Sequence, residues 1–367
     1  PQNWESNSSI PRTGYDNYIA SLSPVSPDGQ WRTVFAPANG EFVGDVDLDF
    51  DAGRILFSMP PEGGPWRIME MALDGSAPRV MPLIDEPDVD NYDACWLPGG
   101  DVLFTSTAPF VGVPCVTGAS HVSNLYRWSQ VTGAIRRLTF EQDHDWCPTV
   151  MPDGRVLYLR WEYSDIPHFA SRILFTMAPD GTNQMAYYGT NSYWPNALFY
   201  ARPVPGSTTR FVAVVGGHHD YPRMGELALF DVALGQREAE GVLQRIPGRG
   251  SRVEPIILDG LTQASWPKFL HPYPLSDKYF LVSCQPSPGA PWGLYLADVF
   301  DNLTPIQELP GYAILEPIPV RPSDPPPTIE PRVDPAATEG LVYITDIYQG
   351  DGLAGVPRGA VKALRLL

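Results

Sequence analysis

The chain has 367 residues, 43% of them hydrophobic, and a formal charge of −17 at pH 7. This acidic balance argues against a nucleic-acid partner, whose footprint is a basic patch. The absence of a run of 18 apolar residues predicts no membrane span. The four cysteines form no CxxCH motif, so we expect no haem c attached covalently to this chain.

The first part of the chain, residues 1–20, lacks an apolar period, and we interpret it as an irregular arm. The remainder, residues 21–367, is expected to form one domain, because large all-β folds often exceed the usual domain length. The start at Pro1 fits a mature exported protein or a cytosolic one. Of these two, we expect a periplasmic or extracellular location.

A recurring frame of turn and strand predicts the fold class. In residues 141–161, Pro152-Asp153-Gly154 has the residues of a tight turn, and an apolar run at 156–159 follows as a short strand. The frame recurs along the chain: Trp146 and Trp194 are 48 residues apart, and Asp47 and Asp93 are 46 apart. The longer gap of 72 residues between Trp194 and Trp266 is interpreted as the same period with an insertion. Short strands at this spacing predict an all-β protein, and specifically a β-propeller.

The count of repeats favours six blades. Five units fit between residues 44 and 319. We expect the sixth to be composite, with the strand Trp31–Phe35 pairing with C-terminal strands near Val342–Ile347, because such closure removes exposed edges. An insertion at about 236–262 leaves seven blades open if it contains strands. The Pro-rich segment 317–335 is expected to be a surface connection, because proline cannot donate to a central ladder.

Polar residues gather just before the turns, on the strands that would line the channel of a propeller. In the segment Asp45–Asp51, every second residue is Asp, which would place four carboxylates on one strand face. Such a face can bind a hard cation such as Ca²⁺, whereas a thiol and an imidazole favour Zn²⁺. The candidate metal ligands are Cys147, His144, Asp143, Asp45 and Asp47. The alternative is that the carboxylates cap strand ends and that Cys147 packs between blades.

A second set of residues is expected to shape the same pocket. Gathered carboxylates would raise one another's pKa unless a cation or an arginine offsets the repulsion. Adjacent strand residues point to opposite faces, so at most one residue of the His218-His219 pair is expected to face the site. The candidate pocket residues are Asp93, Trp146, Trp194, Trp266, His218 and His219.

Three long motifs resemble the hydrazine synthase alpha-subunit-like family, whose propeller region is similar to TolB and WD40 propellers. They read DHDWCPTVMPDGRVLYLRWEYSD, NSYWPNALFYARPVPG and IYQGDGLAGVPRGAVKALR. The similarity extends from about Trp4 to Arg365. It implies a six-bladed propeller that helps to form the wall of a catalytic haem pocket in an enzyme that makes hydrazine from nitric oxide and ammonia.

The resemblance also implies a zinc ion near the haem, held in part by a propeller cysteine, for which we select Cys147. The chain departs from the family pattern because it reaches Leu367 without a CxxCH motif. Any haem c is therefore expected on a partner or on a missing domain, and catalysis by this chain alone is not expected.

These observations lead us to expect a scaffold that forms a pocket for a haem-bearing domain or subunit. One alternative is a stand-alone propeller that binds a metal or a small ligand and has no redox role. Another alternative is a fragment of a c-type-haem oxidoreductase of nitrogen metabolism. Oligomers are compatible with each of these hypotheses.

Overall fold

A computed structural model describes two compact units, Pro1–Pro331 and Arg332–Leu367. The described residues are 2–163, 171–248 and 256–334, and, towards the C-terminus, 336–339, 342, 344, 346–349 and 351–365. No helix among these residues is long and apolar enough to cross a membrane.

The first unit is built from β-strands, as predicted, and its described helices are short 3-10 turns. The strands are β1 (Ile19–Ser23), β2 (Gln30–Phe35), β3 (Gly44–Leu48), β4 (Arg54–Met59), β5 (Arg67–Ala72), β6 (Arg79–Val80), β7 (Asn91–Trp96), β8 (Val102–Ser106), β9 (Asn124–Trp128), β10 (Ile135–Arg137), β11 (Asp145–Val150), β12 (Val156–Glu162), β13 (Ser171–Met177), β14 (Met185–Tyr188), β15 (Ala197–Pro203), β16 (Arg210–Gly216), β17 (Glu226–Asp231), β18 (Val242–Ile246), β19 (Lys268–Pro274), β20 (Tyr279–Gln285), β21 (Gly293–Asp298) and β22 (Leu303–Gln307).

The strands form antiparallel sheets of the β-propeller type. Consecutive strands make five four-stranded sheets, which are β3–β6, β7–β10, β11–β14, β15–β18 and β19–β22. A single parallel pair, Arg172 with Ala197, links the third and fourth sheets. The first strand of each sheet lies next to the first strand of the following sheet, so these strands surround a common channel. The propeller class is therefore confirmed, whereas in the part of the chain that the structure describes no closed ladder of hydrogen bonds fixes the number of blades.

The turns form where the sequence places them. Between β11 and β12, the N–H of Gly154 donates to the Met151 carbonyl over 2.9 Å. Gly154 has a φ of +86°, and a Cβ at this position would lie 2.1 Å from the Pro327 carbonyl oxygen. Only glycine satisfies both conditions without strain.

The core lies between the sheets. Its largest cluster includes the stacked rings of Phe211 and Phe230, whose centroids are 4.8 Å apart, and Tyr188 packs against Phe230 at 4.9 Å. Burying each of these rings contributes about 1.5–3 kcal/mol. Packing between neighbouring sheets therefore holds the strands in the positions that form the channel.

The predicted pairing of Trp31–Phe35 with C-terminal strands is not observed. This segment lies in β2, which pairs with β1 so that Trp31 faces Leu22. A tight turn brings β1 and β2 together, and closing a short loop costs less entropy than closing a long one. Of the predicted partner Val342–Ile347, residues 343 and 345 lie outside the described residues, and the described ones form no strand.

The region predicted as an insertion, residues 236–262, contains strand β18. This strand pairs with β17 and completes the fourth sheet. Residues 249–255 of the region lie outside the described residues. The irregular arm predicted for residues 1–20 extends to Tyr18, where β1 begins one residue later.

The second unit, considered by itself, has one 3-10 turn at Asp351–Leu353 among its described residues. Arg358 pairs with Asp346 over 2.6 Å. The Tyr348 hydroxyl accepts hydrogen bonds from the N–H groups of Gly359 (2.8 Å) and Val361 (3.1 Å). Local polar contacts of this kind hold together a segment that has no strand pairing of its own.

Candidate functional site

The first strands of the five four-stranded sheets, β3, β7, β11, β15 and β19, are called the inner strands because they surround the channel. They share one local distortion. Each is interrupted by a β-bulge, seen as a register shift in its pairing with the second strand of the sheet. The first residue of each bulge has a left-handed backbone, and these residues are Asp45 (φ 53°), Asp93 (53°), Cys147 (54°), Tyr200 (53°) and His271 (46°). A bulge bends its strand and changes the direction in which a side chain points. The same change therefore occurs at all five positions.

A sixth residue, Glu316, repeats this conformation outside any strand. Its φ is 55°, and its Oε2 accepts a hydrogen bond from the Val46 N–H over 2.8 Å. Together with Pro317 and Ile318 it lines the same cavity as the five bulges. Part of the segment predicted as a surface connection therefore lines the channel. Proline is tolerated there because this segment donates to no ladder.

The six residues line one channel cavity of about 80 Å³, which also contacts Asp47, Cys95 and Arg202. Pockets for drug-sized organic ligands have volumes of roughly 300–1,000 Å³. The channel cavity is therefore too small for a haem, but it has room for an ion with a few water molecules.

The backbone conformation at these positions is costly for most residues. A left-handed backbone costs a residue with a Cβ roughly 1–2 kcal/mol, whereas glycine adopts it freely. The positions hold Asp, Cys, Tyr, His and Glu instead of Gly. Strained residues cluster at functional sites, where the surrounding structure maintains them. Their side chains thus mark the channel cavity as the candidate functional site.

Burial perturbs the acids of the cavity. Desolvation, followed by repulsion from Asp45, raises the pKa of Asp93 to about 7 and that of Glu316 to about 7. Desolvation also raises the pKa of Asp47 to about 6, and the positive charge of Arg202 opposes this rise. These carboxyl groups therefore titrate near neutral pH.

The soft donors of the cavity are neutral. Burial, followed by the nearby Asp93, raises the pKa of the Cys147 thiol well above its usual range. Burial, followed by the positive charge of Arg202, lowers the pKa of His271 to about 3. At pH 7 the cavity thus offers a thiol and a neutral imidazole. A metal ion would use the imidazole nitrogen directly and would release the thiol proton.

A buried arginine lies beside the acids. The Arg223 guanidinium packs over Trp146 at 5.3 Å and donates to the Glu5 carbonyl over 2.7 Å. Burial opposes its charge, but Tyr200, Cys147 and the acids together raise the pKa of Arg223. The gathered carboxylates were expected to need a cation or an arginine that offsets their repulsion, and Arg223 is such an arginine.

Residues near the start of the chain pack against the cavity. Asn7 donates through Nδ2 to Asp45 Oδ2 over 2.5 Å. Asn3 is fully buried, donates to the Gly217 carbonyl over 2.9 Å and accepts from the Arg223 N–H over 2.7 Å. The predicted irregular arm is therefore fixed by hydrogen bonds to the residues around the channel.

Four of the predicted site residues meet in the channel cavity, namely Asp45, Asp47, Asp93 and Cys147. The link between two of them is direct, because Asp93 Oδ2 accepts a hydrogen bond from the Cys147 N–H over 2.7 Å. Sequence reasoning missed Tyr200, His271 and Glu316. Their signal was available, because each is followed by Ala or Pro, as Cys147 is.

Asp143 and His144 do not line this cavity. They precede β11, so strand alternation does not orient them. The Nδ1 of His144 accepts a hydrogen bond from the Ser123 N–H over 3.1 Å, and its ring meets Trp146 edge-on at 4.7 Å. Asp143 is fully buried, both its oxygens lack a hydrogen-bond partner among the described residues, and desolvation raises its pKa to about 7.

The predicted tryptophans lie outside the channel cavity as well. Trp146 and Trp194 are buried in the core. Trp266 lines a different cavity, between β17 and β19, where the Lys268 amine lies 5.2 Å from its ring. Tryptophan in these positions contributes packing area instead of shaping the channel.

The expected row of four carboxylates on one face of β3 does not form. The bulge at Asp45 breaks the alternation, and β3 ends at Leu48. Asp49 Oδ1 accepts hydrogen bonds from the N–H groups of Gly53 (2.8 Å) and Arg54 (2.9 Å). Asp49 therefore caps a strand end, as the alternative interpretation expected, while Asp45 and Asp47 face the cavity.

At most one residue of the His218-His219 pair was expected to face the channel, and neither of them lines the channel cavity. They follow β16 in an irregular turn, where strand alternation does not apply, and their rings stack with centroids 3.7 Å apart. Both approach Asp259, with Nδ1 to Oδ1 distances of 3.0 Å for His218 and 3.2 Å for His219. Burial, followed by the charge of Arg172, lowers the pKa of both imidazoles, that of His218 to about 4.

Comparison with solved structures shows the fold. Hydrazine synthase from Kuenenia stuttgartiensis matches with a TM-score of 0.63 and 17% identity, over 82% of this chain and 43% of that chain. This chain shares the propeller fold of hydrazine synthase. It spans less than half the length of the hydrazine synthase chain that it matches.

Two further structures are less similar. TolB from Acinetobacter baumannii has a TM-score of 0.39 and 14% identity, over 58% of this chain and 49% of that chain. A gluconolactonase from Xanthomonas campestris has a TM-score of 0.45 and 13% identity, over 85% of each chain. No family model and no curated protein matches the sequence.

Proposed function

We propose that this chain is a non-catalytic, six-bladed propeller scaffold of the hydrazine synthase alpha type that binds a divalent cation in its channel cavity. The observation that carries the proposal is the sixfold recurrence of left-handed residues around that cavity. Five come from the inner strands, and Glu316 supplies the sixth from a segment that takes the place of an inner strand.

The chemistry of the lining favours a cation. Asp45 raises the pKa of both Asp93 and Glu316, which means that the three carboxyl groups repel one another when ionised. A divalent ion removes this repulsion and displaces the protons. Zn²⁺ is the ion that also uses a thiolate and an imidazole, here Cys147 and His271, whereas Ca²⁺ would use only the oxygens.

The ring is wider than a closed metal cage. Within the described parts of the chain, the channel offers no three ligand atoms within 4.8 Å of one another. A cation there would accordingly keep water molecules between itself and part of the ring, for which the cavity of about 80 Å³ has room. Retained water leaves positions that a ligand from a partner can occupy.

The partner that we propose is a haem-bearing domain or subunit, located with this chain in the periplasm or outside the cell. The proposal follows from the resemblance to the hydrazine synthase alpha family and from the shared fold. Since the channel cavity is too small for a haem, any haem would belong to that partner. Because all six residues around the channel cavity come from this chain, a stand-alone metal-binding propeller is the second candidate.

The test is calorimetric titration of the metal-free chain with Zn²⁺ and, separately, with Ca²⁺. We expect one Zn²⁺ per channel, with an affinity that rises as the pH passes through about 7, because Asp93 and Glu316 then lose their protons. Glu316→Gln and Cys147→Ala should each weaken this binding at least tenfold, whereas Cys115→Ala, which removes an exposed thiol, should not. Equal affinity in all four proteins contradicts the cation site.

The partner role requires a separate measurement. A Soret band in the native complex, together with none in the isolated chain, supports the scaffold. A native complex without haem that still binds the metal favours the stand-alone propeller.

A further inference from the structure

A second cluster of metal-ligating side chains lies outside the channel cavity. Its members are His218, His219 and Asp259, and one ligand atom from each lies within 4.8 Å of the others. In the described residues, this is the only group of three or more such side chains that meets this distance. We propose that the His218–His219–Asp259 cluster binds a divalent transition-metal ion, of which Zn²⁺ is the reference case.

The distances fit a shared ion. In a tetrahedral zinc site with bonds of about 2.0–2.2 Å, neighbouring ligand atoms are about 3.3 Å apart. The Asp259 Oδ1 lies 3.0 Å from the Nδ1 of His218 and 3.2 Å from that of His219. Either Nδ1 can therefore join Asp259 Oδ1 on an ion, and the stacked rings rotate for both nitrogens to point at it.

The two segments that carry the ligands are fastened to each other. Asp220 is buried, and its Oδ2 accepts hydrogen bonds from the Gly217 N–H over 3.2 Å and from both the N–H and the hydroxyl of Thr262 over 2.6 Å. The His218 N–H donates to the Leu258 carbonyl over 2.9 Å. These bonds hold the loop of Asp259 against the histidine turn without any metal present.

Backbone packing brings the segments closer than a side chain would allow. A Cβ on Gly217 would lie 2.7 Å from the Asp259 carbonyl oxygen and 2.8 Å from the Leu261 nitrogen. The missing side chain at this position therefore permits the approach that brings Asp259 to both imidazoles.

Outer contacts orient the histidines, as second-shell partners do in metal sites. Trp4 meets the His219 ring edge-on with centroids 4.7 Å apart. The Arg172 guanidinium donates to the His218 carbonyl over 2.8 Å and fixes its backbone. The positive charge of Arg172 repels a bound cation, whereas the Asp259 carboxylate attracts one.

The donor set defines the class of ion. Two imidazoles and one carboxylate suit Zn²⁺, Cu²⁺, Ni²⁺ and Fe²⁺ and are a poor match for Ca²⁺, which takes oxygen ligands. A neutral imidazole has a single N–H, so binding through Nδ1 requires only that this proton sit on Nε2. The Asp259 side chain is 73% exposed, which leaves the remaining coordination positions open to water.

The test uses the full chain and two metals. Zn²⁺ titration of the protein that carries Cys147→Ala, which weakens the channel site, should still show one equivalent. Adding His219→Ala or Asp259→Asn should weaken that equivalent by more than the about 10–100-fold that loss of an outer-shell partner causes. The matched controls are His121→Ala and Asp277→Asn, which remove exposed residues of the same types outside the cluster.

A second measurement, the spectroscopy of bound Cu²⁺, tests the site even if a variant folds poorly. Bound Cu²⁺ should show electron paramagnetic coupling to two nitrogens. Cu²⁺ should also quench tryptophan fluorescence less in Trp4→Phe than in the unsubstituted chain. Zn²⁺ binding that is equal in the cluster variants and the controls, or Cu²⁺ coupled to fewer than two nitrogens, overturns the proposal. Because the substitutions at His219 and Asp259 change no residue that lines the channel cavity, this failure is distinct from failure of the channel site.

Discussion

Replacing Asp93 by asparagine should remove one component of the pH dependence of stability. Burial and Asp45 raise the pKa of Asp93 from 3.8 to about 7. At about 1.4 kcal/mol per pKa unit, ionising it inside the folded protein costs on the order of 4 kcal/mol. This is an upper figure, because Asp93 is half-buried and retains contact with the open cavity. The asparagine side chain of the variant would keep an oxygen for the Cys147 N–H and would not ionise.

The sign follows from linkage. The folded state binds the Asp93 proton more tightly than the unfolded state does, so this contribution is fully present below pH 3.8 and is lost as the pH rises through about 7. Between pH 5 and pH 8, the free energy of unfolding of the wild type minus that of Asp93→Asn should therefore fall by about 1–4 kcal/mol. Histidines with lowered pKa, such as His271, act in both proteins and cancel in the difference.

Urea unfolding followed by tryptophan fluorescence at four pH values, with a chelator present, measures this difference. The same substitution at the exposed Asp277 is the matched control. A flat profile for Asp93→Asn, or one that rises with pH, would refute the assignment of Asp93 to a buried, mutually repelling group of acids.

Two further substitutions test how the channel is held. Asn3→Ala leaves two buried backbone partners unpaired and should lower the free energy of unfolding by about 2–4 kcal/mol. His121→Ala, at an exposed position, should cost less than about 1 kcal/mol; equal losses would show that the arm does not fasten the channel. Gly154→Ala introduces a Cβ 2.1 Å from a backbone oxygen at a φ of +86°, whereas Gly133→Ala has a φ of +69° and meets nothing within 4 Å. In urea unfolding, Gly133→Ala should cost roughly 1–2 kcal/mol and Gly154→Ala clearly more; losses of the same size would exclude the close contact at this turn.

The fold class could be predicted from the sequence because its signals are local. Turns such as Pro152-Asp153-Gly154 have residue types that fix the backbone, and the apolar runs between them form the observed strands. The pairing of the chain ends could not be predicted in this way. It depends on a competition between a local hairpin, β1 with β2, and distant partners, which the pattern of apolar residues does not resolve.

Half of the channel ring could be predicted, and the reason lies in the bulges. Aligning the repeats by Trp-Pro pairs placed Trp194 and Trp266 beside Trp146, although both precede their inner strands and Trp146 lies within one. Aligning them by the bulge would have matched Tyr200 and His271 with Cys147. A bulge shifts the strand alternation by one residue, so period-two reasoning fails at the positions that face the channel.

The central claim is that a divalent cation occupies the ring of left-handed residues in the channel cavity. A crystal structure of the chain grown with Zn²⁺, with anomalous differences measured at the zinc absorption edge, tests it most directly. We predict a peak in the channel at about 2.3 Å from Cys147 Sγ, with Asp93 or Glu316 in the coordination shell of the zinc. Zinc peaks elsewhere on the protein, with none in the channel, would contradict it.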